Sequence, residues 1–107
     1  MGYIYLINEW NTDNYKIGVT KAKSLDKRKL ELQTGNSSEL IIIKYFITDN
    51  PYQLEKLLHR HYHNKNIINE WFILTDEEVM DFINVCIKYN DILNFIKKEN
   101  EFCKHLK

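Results

Sequence analysis

The chain has 107 residues, 44% of them apolar, which fits one small domain and leaves too little for a second independent core. Fifteen basic residues balance fifteen acidic ones, so a uniformly basic nucleic-acid-binding surface is excluded and only local charge can serve that purpose. No apolar run approaches the ~20 residues of a membrane span, and MGYIYLINEW has neither a basic leader segment nor a small-residue cleavage site, so a cytoplasmic location is expected.

Residues 3 to 8 (YIYLIN) and 15 to 20 (YKIGVT) are rich in Tyr, Ile and Val, and the EWNTDN stretch joining them has turn composition. Together they predict an antiparallel hairpin. Ser24 then stands as the N-cap of a short helix, LDKRKLELQ, in which Leu25, Arg28, Lys29 and Leu32 follow helical spacing and Thr34 and Gly35 supply the stop. Lys16, Lys21, Lys23, Lys27, Arg28 and Lys29 against Asp26 alone make this region a local basic patch of plus five.

The run LIIIKYFI, residues 40 to 47, is nearly continuous in β-branched and aromatic residues, which predicts a central strand covered on both faces. Pro51, tolerated in a first turn, opens a second helix whose Leu54, Leu57, Leu58, His61 and Tyr62 form one stripe. A polar link follows, then EWFIL as a short strand or extended segment. Thr75 before Asp76, Glu77 and Glu78 is a helix start signal, predicting a third helix to about Tyr89. Residues 91 to 104 again place Ile92, Leu93, Ile96 and Phe102 at helical spacing. From Asp76 onward seven acidic residues face five lysines, a mildly acidic tail. Cys86 and Cys103 lack metal-type spacing and read as two thiols rather than a disulfide. The expected fold is α+β: a mainly antiparallel three-stranded sheet flanked by helices, with residues 1–75 as the core and 76–107 as a helical extension packed on the same domain.

Tyr3-Ile4-Tyr5 within GYIYLI, Lys16-Ile17-Gly18 within YKIGVT, Arg28 about ten residues later on the first helix, Glu55 on the next helix and a closing Glu70-Trp71-Phe72 occur in one order. With these landmarks the chain resembles the GIY-YIG nuclease superfamily over residues 2 to 75, in the branch whose second motif reads Y-K-I-G. Lys16 occupies a slot that usually holds tyrosine, and Tyr15 is displaced by one, which in a strand changes face.

The resemblance implies a metal-dependent endonuclease acting on DNA, with Mg²⁺ or Mn²⁺ held by Glu55, a hard oxygen ligand. It implies Arg28 on a phosphate oxygen, Lys16 beside the attacking water or the phosphate, and Tyr5 as general base. His59, four residues after Glu55 and on the same helical face, is added as a residue that orients the glutamate or approaches the phosphate. Lys21, Lys23, Lys27 and Lys29 are candidate phosphate contacts, and Trp10 in the hairpin loop a candidate base-stacking residue. Glu55, His59 and His63, spaced by fours, raise zinc as a competing reading, which no cysteine or HExxH word supports. Trp71 and Phe72 are expected in the core.

A second class of function stays open: a DNA-binding or regulatory module with the same fold and no turnover, consistent with Lys16 and the zero net charge. A protein-interaction role for the acidic C-terminal helices is a third. With no attached specificity module in the sequence, cutting is expected to be weakly specific, or directed by a homodimer or partner protein. The Asn/Ile/Lys-rich composition points to a phage or other mobile genome and hence to the host-cell cytoplasm.

Overall fold

The hairpin expected from the two Tyr/Ile/Val runs forms the centre of the sheet. In the computed structural model, which describes residues 1–21 and 24–105 with side chains to Glu101, β1 (Gly2–Glu9) pairs antiparallel with β2 (Asn14–Thr20), Tyr5 lying opposite Gly18 and Ile7 opposite Lys16. Asn11 takes a positive φ of 63° in the connecting turn, a conformation asparagine tolerates. The buried Asn8 side chain clasps that turn, its Nδ2 donating to the Thr12 and Asn14 carbonyls at 3.0 Å each.

Helix α1 (Leu25–Thr34) starts after Ser24 and ends at Gly35 as expected, although the Ser24 side chain makes no capping hydrogen bond. Strand β3 (Leu40–Thr48) then pairs with the other side of β1. Helix α2 (Pro51–His61) follows, a single 3₁₀ turn spans His63–Lys65, and the hairpin of β4 (Asn66–Ile68) and β5 (Trp71–Ile73) attaches β5 to β2. The sheet is therefore five-stranded and wholly antiparallel, in the order β3-β1-β2-β5-β4, rather than three-stranded. The sequence pattern misses the additional pairing because β4 and β5 have three residues each, too short for a periodic signal, and β4 lies in what reads as a polar link.

Two further expectations are corrected. The run 40–47 is an edge strand, with Ile43, Tyr45 and Ile47 exposed; the strands bracketed on both sides are β1, β2 and β5. The segments before and after Tyr89 form one helix, α3 (Asp76–His105), because Asn90 and Asp91 are weak helix formers but neither is a breaker like Gly or Pro. Thr75 and Glu78 close a capping box at its start: the Glu78 amide donates to Thr75 Oγ1 at 3.2 Å, and the Thr75 amide to Glu78 Oε1 at 3.1 Å.

The sheet carries two clusters. On one face Ile4, Leu6, Tyr15, Ile17 and Phe72 pack with Leu54, Leu58 and Tyr62 of α2 and Phe82, Val85 and Cys86 of α3. On the other, Tyr5, Ile7 and Leu40 pack with Leu25 and Leu32 of α1, Ile42 and Trp71. Phe72 is buried, as expected, and Trp71 is half-buried. A polar staple ties α2 and β3 to α3: Asn50 Nδ2 donates to Asn90 Oδ1 (3.1 Å) and Asn94 Oδ1 (2.9 Å), and Thr48 Oγ1 to Asn90 Oδ1 (2.6 Å).

Candidate active site

The candidate site forms where β5 stops. β5 pairs with β2 only as far as Lys16, and the Ile17 amide still reaches the Glu70 carbonyl at 3.1 Å. Beyond that point α2 closes on β2: the Ile17 carbonyl, which can only accept, takes a hydrogen bond from His59 Nε2 at 2.8 Å. That bond makes Nε2 the protonated nitrogen and leaves the neutral ring's lone pair on Nδ1. Phe72 packs edge-on against the same ring at 5.2 Å.

The alternation of β1 and β2 sends Tyr5, Lys16 and Gly18 to one face, while Tyr15 goes into the core on the other. The one-residue shift thus removes Tyr15 from the site and installs Lys16. Gly18 is required by its neighbour: a Cβ there would lie inside the van der Waals envelope of Tyr5 Oη and Cζ and 2.7 Å from Cε1. The tyrosine ring lies flat across backbone that only glycine leaves bare.

Five elements converge at this point, Tyr5 and Lys16 from one face of the sheet and Glu55 and His59 from α2, which packs against the other. Lys16 Nζ is paired with Glu70 Oε2 at 2.8 Å and sits 5.8 Å above the Trp71 ring. One donor atom each from Glu55, His59 and Glu70 lies within 4.8 Å of the others. Arg28 spends Nη1 on Glu31 Oε2 at 3.2 Å. Among the described residues the buried side-chain polar atoms without a hydrogen-bond partner are Tyr5 Oη, Arg28 Nε, Glu55 Oε2 and Tyr62 Oη, and the first three belong to this site. Buried polar atoms are almost always satisfied, so three orphans in one place mark a position suited to an absent ligand, ion or water.

Electrostatics agree with that reading. Burial pushes the Glu55 carboxyl above its ordinary range, the Glu70 carboxylate adds to the rise, and His59 and Lys16 pull against it. A cation placed between the carboxylates would remove the penalty, and the oxygen and nitrogen donors present fit a divalent ion. Burial likewise raises Tyr5 above the usual phenol value, opposed by the adjacent Arg28 even though Tyr5 Oη completes no hydrogen bond of regular geometry.

The remaining candidates are dispersed. Lys27 is exposed and Lys29 half-buried on α1, Lys21 Nζ lies 5.3 Å over the Tyr52 ring, and Lys23 falls outside the described residues. Trp10 is exposed but sits at the turn end of the hairpin, lining a cavity of about 390 Å³ with Asp13 and Asp76, whose charges repel phosphate. His63 is exposed in the 3₁₀ turn, and the donor group around Glu55 contains Glu70 in its place. Sequence reasoning missed Glu70 as a site residue; its signal was the Glu70-Trp71-Phe72 word itself.

The family model of the T5orf172 domain matches residues 2–87, a span that takes in every residue of the site and ends inside α3. The chain belongs to the T5orf172 domain family. T5orf172 domains are associated with GIY-YIG-like and HNH-type nucleases, which makes this chain a nuclease-related or DNA-binding module. None of the curated proteins and none of the solved structures matches this T5orf172 chain.

Proposed function

We propose that this T5orf172 domain is a metal-dependent endonuclease that hydrolyses phosphodiester bonds in DNA, in the manner of GIY-YIG enzymes. The observation that carries the reading is the convergence of Tyr5, Lys16, Arg28, Glu55, His59 and Glu70 around the end of β5, with unsatisfied polar atoms on three of them. In this reading Glu55, with Glu70 and His59 beside it, holds Mg²⁺ or Mn²⁺. A bound divalent ion supplies charge neutralisation at the phosphate and stabilises the leaving oxygen.

The chain's own groups supply the rest. Arg28 directs its unpartnered Nε to a phosphate oxygen and stabilises the charge that builds at phosphorus. Arg28, adjacent to Tyr5, is the charge that favours the phenolate against the burial that raises it, while Lys16 Nζ, held by Glu70, stands beside the attacking water or the phosphate. Tyr5 Oη accepts the proton of the attacking water as its oxygen bonds to phosphorus and the P–O ester bond breaks.

The test is plasmid nicking at low salt in Mg²⁺, Mn²⁺ and EDTA, with Glu55→Ala and Arg28→Ala beside wild type. Cleavage that needs metal and both residues is expected, each loss being at least about a hundredfold. Normal cutting by a folded Glu55→Ala protein would refute the reading. The Lys16–Glu70 ion pair favours a second one, because Glu70 already has its cation: a DNA-binding module without turnover. Salt-sensitive binding with no cutting in either metal would select it.

A further inference from the structure

The sheet face that bears Tyr5 is only partly covered. Helix α1 packs over Tyr5, Ile7, Leu40 and Ile42, and the same face continues uncovered along β1 and β3. Tyr45 is the direct cross-strand partner of Tyr5 and is 55% exposed; Ile47, opposite Tyr3, is 49% exposed. The Tyr3 and Tyr45 rings meet edge to face at 6.2 Å, which fixes both without hiding Tyr45. Arg28 and its α1 neighbours Lys27 and Lys29 add positive charge alongside.

An apolar edge of this kind is ordinarily an aggregation hazard that charge or proline blunts, and the exposed side chains of β3 facing this side are instead aromatic and aliphatic. Flat rings one strand from a phosphate site, with cations beside them, have the chemistry of a single-strand platform: π-faces for bases and positive charge for the backbone. A closed duplex keeps its base faces stacked inside and offers nothing to Tyr45.

We infer that the uncovered face of β1 and β3 binds unpaired nucleotides, with Tyr45 stacking on a base next to the phosphate engaged by Arg28, so that the substrate is single-stranded or locally opened DNA. This deepens the nuclease reading and rests on it for the position of the phosphate. The stacking itself requires no turnover.

The experiment is fluorescence anisotropy in EDTA, where nothing is cut, using an oligo-dT strand, an abasic strand of equal length and a duplex. Wild type should bind oligo-dT about 5- to 150-fold tighter than the abasic strand, the range expected for one stacked base. Tyr45→Ala should lose that margin while leaving abasic binding unchanged, and Tyr45→Phe should keep it. An equal loss on the abasic strand, no preference over duplex, or unchanged DNA affinity with a shift in sedimentation from dimer to monomer would overturn the inference, the last by making the face a protein interface. Nicking in Mg²⁺ separates the two ideas: Glu55-dependent cutting without base-dependent binding removes only the platform, and base-dependent binding without cutting removes only the nuclease.

Discussion

At the residue scale, the arrangement turns on what sits beneath and beside Tyr5. Gly18→Ala puts a methyl group into the tyrosine ring, and it should cost about 1–3 kcal/mol by overpacking and displace the phenol. In thermal melts of a Tyr5→Ala background the same change should cost less than about 0.5 kcal/mol; additive effects would mean that the ring is not the obstacle. Glu55 tests the opposite balance. Its carboxyl is raised chiefly by burial, so its ionised form is disfavoured in the fold. That contribution to stability is complete below the unfolded value near 4.5 and is lost as pH rises through the higher folded one. Glu55→Gln should therefore stabilise the metal-free protein at pH 7.5, by about 0.5–2 kcal/mol, with the gain shrinking towards pH 4 in melting curves. Added Mg²⁺ should raise the melting temperature of wild type and leave the variant unmoved. The positions of Tyr5, Lys16, Arg28 and Glu55 were legible because short words in fixed order carried them, and that of His59 because it follows Glu55 by four on one helical face. Glu70 was not, because a glutamate at a strand entry looks like any solvated acid until the fold brings α2 beside it.

At the element scale, the strands and helices that announced themselves were those with enough residues to show a period. β1, β2, α1 and α2 follow their hydrophobic patterns, whereas β4 has exposed residues throughout and leaves no stripe to read. The run LIIIKYFI misleads for a different reason: its composition states strand, but position in the sheet depends on pairing partners elsewhere in the chain, and β3 finds one only in β1, while β2 takes the central place. The apparent break at Asn90 and Asp91 is a tertiary feature in disguise. Asn90 stands within the helix because its side chain accepts from both Thr48 and Asn50. Asn90→Ala improves local helix propensity, yet it should destabilise the protein by about 1–3 kcal/mol in urea denaturation, since it takes an acceptor from two buried donors. A neutral or stabilising result would show that water replaces the staple.

At the scale of the whole molecule, the domain spans 55 × 29 × 21 Å, drawn out by a 30-residue α3 whose later half exposes Ile92, Phe95 and Ile96. With zero net charge, the proposed DNA contact depends on local cations, chiefly Lys27, Arg28 and Lys29 of α1 with Lys16 of β2. If about four phosphates are neutralised there, log K should fall against log salt with a slope near −3 on single strands, roughly a fiftyfold loss between 50 and 200 mM. A slope near zero in the same titration would take nucleic acid off the surface altogether. The bare flank of β3 has a consequence for handling as well. Near neutral pH the molecules lack the mutual repulsion that keeps like particles apart, and Ile43, Tyr45 and Ile47 offer an unprotected seam between copies. Colloidal stability should be lowest around pH 7 and improve a unit or two to either side, and a strand of DNA seated on that seam should act as a solubilising coat.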